Sequence, residues 1–295
     1  MHGRSASFRT LLMGLFCSAG LGVAQAASHC AEWTARLPNV TPLLCEAAAL
    51  KPSGAVSVRG VPIYQRDVST SRIDATAPRP PEGTPQAPIK RVLVIGGIHG
   101  DELSSASVVF HWIGHASAAP EGMDWRFVPV TNPDGLMLPK PTRYNAHGVD
   151  LNRNFPTPGW DQEALKYWAQ RTGRDKRRYP GPKALSEPES RFVVQTMADW
   201  KPDIIVSLHA PYGVLDFDGP SEPPLRLGRL HLDRVGIYPG SLGHYGGVYK
   251  GVPVVTVELP SALRTPTDPE IRQMWVDLLR WVAVGMSRAS GGKAG

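Results

Sequence analysis

The hydrophobic pattern predicts an α/β domain over most of the chain. Apolar runs of strand length alternate with longer segments whose apolar residues recur at helical spacing. The predicted strands are "VSVRGVPIYQRDV" (56–68, a strand or a hairpin), "RVLVIGGI" (91–98), "WRFVPV" (125–130), "DIIVSLH" (203–209) and "PVVTVEL" (253–259). The predicted helices are "ELSSASVVFHWIGH" (102–115), "EPESRFVVQTMADW" (187–200) and "PEIRQMWVDLLRWVAVGM" (269–286). Since helices flank apolar strands, we expect a mixed, mostly parallel central sheet with helices on both faces.

The first 27 residues have the pattern of a secretory signal peptide. Arg4 and Arg9 supply the positive start, an apolar stretch follows, and small residues allow cleavage after Ala26 or Ala27. The apolar stretch is too short and too rich in glycine and serine to favour a permanent membrane span, although an uncleaved anchor is the alternative. We therefore expect a periplasmic or secreted protein with no stable membrane span after signal removal.

Two further segments follow, a short helical lead-in over 28–54 and a main domain over 55–290. Cys30 and Cys45 lie close together in the lead-in. In an oxidising compartment they can form a disulfide, which we favour over metal binding because no second cysteine or histidine cluster lies beside them. A proline-rich stretch, "TAPRPPEGTPQAP" (76–88), interrupts the main domain and is predicted to be a loop.

Composition adds little about partners. The net charge of the 295-residue chain is +6, and removing the two arginines of the predicted signal leaves +4. This small positive net charge is compatible with a protein that acts near anionic polymers, but it identifies no partner. The basic run "RTGRDKRR" (171–178) is interpreted as a solvated helix end, since no groove-reading motif or aromatic platform accompanies it. We expect no nucleic-acid partner, and the oligomeric state stays open.

Three polar residues follow three predicted strands. His99 comes directly after "VLVIGGI", His209 ends "DIIVSLH", and Glu258 lies at the end of "PVVTV". Open α/β sheets bind ligands outside the carboxyl ends of their strands, so these side chains are expected at one rim. Glu102 lies three residues after His99 at a helix entry, which places the two side chains on one face.

This set has the chemistry of a hydrolytic zinc site. Catalytic zinc takes three protein ligands and keeps a position for water, and His99, Glu102 and His209 suit that number. A carboxylate outside the coordination shell must still move the proton from water to the leaving amine, a role that suits Glu258. The alternative for Glu258 is a buried acid paired with a structural arginine.

The loop "RYNAHGVDLNRNFP" (143–156) carries dense polar chemistry, which on a loop more often serves function than packing. Together with it, "HGDE", "NPDG", "SEPE", "SLHAP" and "VTVELP" occur in the order found in the zinc carboxypeptidases, which the chain resembles over about residues 55–285. A member of this family is a known example of a catalytic zinc held by two histidines and a glutamate. The resemblance implies that 55–290 is a zinc peptidase domain that binds one Zn²⁺ ion.

The resemblance also implies roles for individual residues. His99, Glu102 and His209 match the zinc ligands, and Glu258 matches the catalytic base and acid. Arg143 matches the arginine that polarises the scissile carbonyl. In "DLNRNF", the residues that match the pair gripping the carboxylate beside the cleaved bond are Asn152 and Arg153.

The stretch "YPGSLGHYGG" (238–247) and the compact spacing between His209 and Glu258 resemble the bacterial murein peptide amidases more than the digestive carboxypeptidases. Those amidases cut the γ-D-glutamyl–meso-diaminopimelate bond of peptidoglycan peptides, which are therefore the expected substrate. The digestive enzymes carry a mobile tyrosine over the site that does not align here. Tyr245 and His244 are candidate substitutes, and each is equally suited to be a wall residue of the pocket.

Two other functions stay open at this point. The first is a carboxypeptidase of ordinary L-peptides, or an N-acyl amino acid deacylase like the related desuccinylases. The second is a non-enzymatic wall-binding protein, which the full set of expected catalytic residues disfavours.

Overall fold

A computed structural model describes residues 29–69, 90–119 and 122–290, with side chains to residue 283. The predicted signal peptide and the proline-rich loop at 76–88 lie outside the described residues.

A seven-stranded mixed sheet forms the centre of the protein, in the order β1-β2-β4-β3-β5-β9-β6, and β7 and β8 form a separate hairpin. The strands are β1 Lys51–Val56, β2 Pro62–Val68, β3 Lys90–Ile95, β4 Met123–Val128, β5 Ile204–His209, β6 Val214–Asp218, β7 Arg226–Leu227, β8 Leu230–His231 and β9 Val254–Glu258. The four central strands, β4, β3, β5 and β9, are parallel to one another. The antiparallel strands β1, β2 and β6 extend the sheet at its two edges. The predicted mixed sheet with a parallel centre is confirmed.

Helices cover both faces of this sheet. They are α1 (29–34), α2 Pro42–Ala47, α3 Leu103–Ala118, the single turn α4 Pro133–Leu136, α5 Trp160–Arg171, α6 Pro188–Trp200, the π-helix Gly243–Tyr249 and α7 Asp268–Ser290. On one face, Val92 and Val94 of β3 belong to the core formed with α3 and α7. On the other face, Leu93 and Ile95 belong to the core formed with α6 and the π-helix. Because both faces are buried, β3 is a continuous apolar run without alternation.

No helix among the described residues combines the length and the apolar character that a membrane span requires.

The N-terminal segment packs onto the main domain. Trp33 of α1 is buried in the core shared with α3, and its ring meets Phe110 edge to face with centroids 5.8 Å apart. β1 begins at Lys51 and pairs with β2, so the predicted 28–54 lead-in ends in a strand of the main sheet. The segment at 56–68, predicted as a strand or a hairpin, forms the second half of this hairpin.

Cys30 and Cys45 form a disulfide between residues 15 apart in sequence. Both residues are buried. Nitrogen and sulfur atoms of His29 and the two cysteines converge, but the sulfurs are bonded to each other and do not offer thiolates to a metal.

Replacing both cysteines with alanine is expected to lower the free energy of unfolding by about 3 kcal/mol, because a cross-link over a loop of this length restricts the unfolded chain. Equilibrium urea unfolding of the oxidised protein and of the double variant measures the loss. The reduced wild-type protein is the matched control and should unfold with the double variant. Superimposed curves for the oxidised protein and the variant would contradict the prediction.

The apolar pattern missed α5, the π-helix and β6, each for a physical reason. α5 buries only Trp160 and Ala164, so it lacks a continuous apolar stripe. The π-helix is rich in glycine. In β6 the apolar residues Leu215 and Phe217 alternate with two aspartates. The strand therefore does not appear in the sequence as the continuous apolar run that is typical of a strand buried on both faces.

Candidate metal and catalytic site

One face of the sheet changes from apolar to polar toward the carboxyl ends of β5 and β9. The register between these strands pairs Ile205 with Val254, then residue 207 with residue 256, and finally residue 209 with residue 258. Alternation along a strand places these side chains on the same face. That face is apolar at the first pair and polar at the next two, which are Ser207 with Thr256 and His209 with Glu258. The polar pairs lie where a parallel sheet opens to a ligand.

The turn after β3 brings two more candidates to this rim. Gly97 has φ +54°, a conformation that favours glycine, and it lets the chain leave the strand sharply. Glu102 is the residue that precedes the first turn of α3. His99 and Glu102 are both buried at this turn, with Nδ1 of the histidine 2.8 Å from Oε1 of the glutamate.

The side chains of His99, Glu102 and His209 converge. Nδ1 of His209 lies 3.1 Å from Oε2 of Glu102 and 3.2 Å from Nδ1 of His99. One donor atom from each of the three residues lies within 4.8 Å of the others. Burial opposes ionisation of Glu102, yet the adjacent His99 and His209 hold its pKa well below the usual range. The set therefore offers two imidazole nitrogens and a carboxylate in a buried position.

The remaining nitrogen of each imidazole is held by a different partner. Nε2 of His99 lies 3.1 Å from Oδ1 of Asp150, and Nε2 of His209 lies 2.9 Å from the Ser207 hydroxyl. Such outer partners fix the ring orientation in metal sites and leave the other nitrogen directed at the metal. Both Nδ1 atoms face the shared centre, so the residues fit a zinc ion, which catalytic sites can hold with two histidine nitrogens and a glutamate oxygen.

Asp150 was not among the residues that the sequence indicated, although it links three parts of the site. Its carboxylate is fully buried and accepts hydrogen bonds from the Asn152 backbone N–H at 3.0 Å and from Arg143 Nε at 2.9 Å, in addition to the His99 contact. Burial opposes its ionisation, but Arg143 and His99 hold the pKa of Asp150 far below the usual range. It is therefore a buried anion that orients a metal-ligand candidate and an arginine at once.

Glu258 lies on the strand next to His209 and lines the same cavity. It is 7% exposed, and its Oε2 has no hydrogen-bond partner in the described structure. Burial raises the pKa of Glu258 above its ordinary value, while the neighbouring His209 opposes this effect. A buried carboxylate with an unpaired oxygen and a raised pKa suits general acid–base chemistry, and no arginine forms an ion pair with it within the described residues.

The polar loop lines the opposite side of the cavity. Arg143, Asn152 and Arg153 all contribute to the lining. Besides its bond to Asp150, Arg143 directs Nη1 to Glu102 Oε1 at 3.4 Å. Asn152 is anchored through its side-chain oxygen, which accepts from the Leu242 N–H at 2.8 Å. The structure thus brings the two loop arginines to the histidine and glutamate cluster.

The loop that carries these residues is braced by a buried acid. Oε2 of Glu187 accepts from Asn145 Nδ2 at 2.7 Å and lies 2.8 Å from His147 Nδ1. This explains the "SEPE" motif as a support for the loop, since Glu187 joins the start of α6 to residues 145–147.

Three tyrosines line the cavity, Tyr167, Tyr212 and Tyr238, and Tyr238 contacts one of the loop arginines. The Arg153 guanidinium carbon lies 4.4 Å from the centroid of the Tyr238 ring, within the range of a cation–π contact. Burial lowers the pKa of Arg153, although the nearby Asp150 opposes the shift. Tyr245 instead lies in the core against Phe155, with stacked ring centroids 6.0 Å apart.

The two candidate substitutes for the mobile tyrosine therefore do not contact the cavity. Neither Tyr245 nor His244 is among its lining residues, and the residues of the 238–247 stretch that line it are Tyr238, Ser241 and Gly243. The physical reason is the π-helix, which turns Tyr245 toward the sheet. The sequence "IYPG" at 237–240 places Tyr238 in a turn just before this helix, and that position could have indicated Tyr238 as a cavity residue.

Three charged residues of the cavity were also missed. Arg178, Asp216 and Asp218 all line it. The run "RTGRDKRR" is therefore more than a solvated helix end, because its last arginine reaches the cavity. Nothing in the local sequence of β6 reveals that its two aspartates face the site.

The comparisons with known proteins agree with this geometry. Residues 53–217 match the zinc carboxypeptidase family, a range that contains His99, Glu102, Arg143, Asn152, Arg153 and His209 but ends before Glu258. Murein peptide amidase A of Escherichia coli K12 is 31% identical over 204 residues, which cover 67% of this chain and 82% of that protein. Murein peptide amidase A of Vibrio campbellii is 33% identical over 177 residues, covering 58% of this chain and 69% of that protein.

A solved structure shows the same fold. The crystal structure of the murein-tripeptide amidase from Escherichia coli O157 has a TM-score of 0.53 to this chain at 24% identity. The match covers 79% of this chain and 97% of that chain.

Proposed function

This chain belongs to the zinc carboxypeptidase family, and we propose that it is a zinc-dependent amidase of peptidoglycan peptides. We infer further that it cuts the bond between γ-D-glutamate and meso-diaminopimelate. The observation that carries the proposal is the convergence of His99, Glu102 and His209 in one cavity with Glu258 and the loop arginines. This arrangement offers a metal site, a proton carrier and an anion site around one position.

The metal is proposed to be held by His99, Glu102 and His209, whose donor atoms are buried and mutually close. Zinc bound there supplies Lewis acidity that polarises a carbonyl oxygen and makes water a stronger acid. Asp150 and Ser207 keep the two imidazoles in the orientation that presents Nδ1.

Glu258 is proposed to carry the proton. Its unpaired Oε2 accepts a proton from water, and the protonated carboxyl then donates that proton to the nitrogen of the leaving amine. The raised pKa of Glu258 favours this exchange, because a carboxyl group with an ordinary pKa holds a proton weakly at neutral pH.

The two loop arginines have separate proposed roles. Arg143 lies beside Glu102 and is aimed by Asp150, so its guanidinium is placed to stabilise negative charge on the carbonyl oxygen. Arg153 and Asn152 line the same cavity and are proposed to bind the free carboxylate next to the scissile amide. Tyr238 covers the Arg153 guanidinium and is proposed to be the tyrosine that closes over the leaving residue.

The substrate assignment is supported by the relatives, whose names identify them as murein peptide amidases. Export is supported by the signal-like residues 1–27 and by the Cys30–Cys45 disulfide, a bond typical of oxidising compartments. We propose that the protein acts outside the cytoplasm on the wall or on its fragments.

Incubation of the purified protein with L-Ala-γ-D-Glu-meso-diaminopimelate is the test of the proposed function. We expect release of free diaminopimelate by mass spectrometry, loss of activity after chelation, and recovery when one equivalent of zinc is added back. An α-L-peptide and an N-acyl amino acid serve as parallel substrates. Faster turnover of either would replace the proposed substrate, and wall-fragment binding without zinc or turnover would show a binding protein.

A further inference from the structure

The turn that follows α5 presents an arginine that the proposed chemistry leaves unused. Arg178 lines the cavity together with Arg143 and Arg153. Its side chain is 47% exposed, and its single ion pair within the described residues joins Nε to Oδ2 of Asp175 at 3.8 Å. Its two terminal nitrogens form no hydrogen bond or ion pair in the part of the chain that the structure describes. The guanidinium therefore keeps donors for a ligand in the cavity.

The residues on either side of Arg178 are tied to the metal side of the cavity. Arg177 donates from Nη2 to Oδ2 of Asp101 at 2.7 Å, and Asp101 directly precedes one of the proposed metal ligands. The carbonyl of Tyr179 accepts from the backbone N–H of Asp150, the acid that orients another proposed ligand, at 2.8 Å. These two contacts hold the backbone of residue 178 against the proposed metal site and leave its side chain free.

Further contacts fix the shape of this turn. The indole N–H of Trp168 donates to the Asp175 carbonyl at 2.7 Å, and the Trp168 ring packs against Tyr179 with centroids 5.0 Å apart. The Asp175 side chain in turn accepts from the Arg177 N–H at 2.9 Å. Because the backbone is already ordered, an arginine presented from it loses less entropy when it binds a ligand.

The wall formed by α5 and this turn covers both ends of the proposed scissile amide. At the leaving end, Tyr167 meets Tyr238 with ring centroids 5.8 Å apart, and Tyr238 covers Arg153, the proposed carboxylate site. At the other end, the contact with Asp101 fixes the turn near the proposed metal ligands, where the scissile carbonyl is expected to lie. Arg178 is thus placed on the side of the acyl group.

The proposed substrate carries an anion on this side. In a γ-linked glutamyl residue the α-carboxylate is free and lies four bonds from the scissile carbonyl carbon. An α-linked residue has its α-carboxyl group in the scissile amide, so it has no such anion unless its side chain is acidic. An arginine guanidinium matches a carboxylate with two parallel hydrogen bonds and is charged at any physiological pH.

We propose that Arg178 forms a subsite for the α-carboxylate of the γ-linked glutamyl residue. The proposal rests on the proposed amidase function and makes Arg178 a determinant of its specificity on the acyl side of the bond. The other basic residues of the turn, Lys176 and Arg177, do not line the cavity, so the contact is assigned to one side chain and not to the charge of the whole run. A carboxylate of the leaving residue is the alternative occupant.

The test compares two substrates that differ at one carboxyl group. L-Ala-γ-D-Glu-meso-diaminopimelate has the α-carboxylate, and L-Ala-D-isoglutaminyl-meso-diaminopimelate has a neutral carboxamide in its place. For the zinc-loaded protein we expect kcat/KM to be about fivefold to twentyfold higher for the carboxylate peptide, between the effects of an exposed ion pair and of a buried charge-assisted hydrogen bond. In Arg178→Gln the ratio of the two values should fall below about twofold.

Lys176→Gln is the matched control, because it removes a positive charge from the same exposed turn but not from the cavity. It should keep the full ratio, and turnover of the carboxamide peptide shows that each variant is folded and active. Equal turnover of the two peptides by the wild-type protein, or a ratio lost equally in the control, would overturn the subsite. An unchanged ratio in Arg178→Gln, with both values reduced together, would overturn it as well and assign Arg178 to the leaving residue or to the shape of the turn.

A binding measurement separates failure of this proposal from failure of the proposed function. The acyl products L-Ala-D-Glu, linked through its amine, and L-Ala-D-isoglutamine differ by the same carboxyl group, and calorimetry with either needs no turnover. Stronger binding of L-Ala-D-Glu that is lost in Arg178→Gln supports the subsite even if neither tripeptide is cleaved. Cleavage of both tripeptides with no preference in binding or turnover leaves the amidase function standing and removes the subsite.

Discussion

Replacing Glu258 with glutamine is expected to lower kcat by about a hundredfold to ten-thousandfold, the range of a lost general acid–base group. Glutamine keeps the size of the side chain and its place beside His209 on the sheet, but its amide cannot accept and return a proton at neutral pH. Because Glu258 is not among the converging donor atoms, the variant should still bind one zinc ion per chain. Steady-state kinetics together with metal analysis of the same preparation measures both effects.

Glu189→Gln is the matched control for this experiment. Glu189 is also buried, and burial likewise raises its pKa, but it bonds to Asn145 and does not line the cavity. We expect the control to keep kcat within a few fold of the wild-type value. A Glu258→Gln variant that retains zinc and full turnover would show that another group carries the proton.

Replacing Asp150 with asparagine is expected to weaken zinc binding by about tenfold to a hundredfold, the effect typical of outer partners in metal sites. Its two oxygens accept from different donors, Oδ1 on the His99 side and Oδ2 on the Arg143 side. An asparagine amide has one accepting oxygen, so in either orientation it turns an NH₂ group toward a donor. His99 then loses its orientation, or the buried Arg143 loses its partner.

Competition with a chromophoric chelator measures the zinc affinity of this variant, and a thermal melt of the metal-free protein measures its stability. We expect the melting temperature of the metal-free variant to fall as well, because removing one partner of a buried ion pair leaves the other charge uncompensated. Ser207→Ala is the comparison on the second imidazole. It removes a neutral hydroxyl from His209 and should weaken zinc binding less. Equal zinc affinity in Asp150→Asn and the wild type would rule out the assigned role of Asp150.

Much of the fold was predictable because its main signals are local. Strands β3, β5 and β9 are buried on both faces, so each appears in the sequence as a short apolar run, and the helices beside them carry amphipathic patterns. The rim residues could be predicted as well, since parallel strands end at the same edge of the sheet wherever they stand in the order. His99, His209 and Glu258 follow from that rule without knowledge of which strands are neighbours.

The tertiary structure decided what depends on strand order, register and helix rotation. By itself the sequence determined the parallel centre of the sheet and the polar residues at its rim. Only the pairing of β6 with β9 places Asp216 and Asp218 on the cavity wall, because the register of the pairing decides which face of the sheet each side chain occupies. The π-helix turns Tyr245 into the core, so Tyr238 is the tyrosine over Arg153. Asp150 likewise acquires its role only when the loop meets His99, a contact between residues 51 apart in sequence that no local pattern encodes.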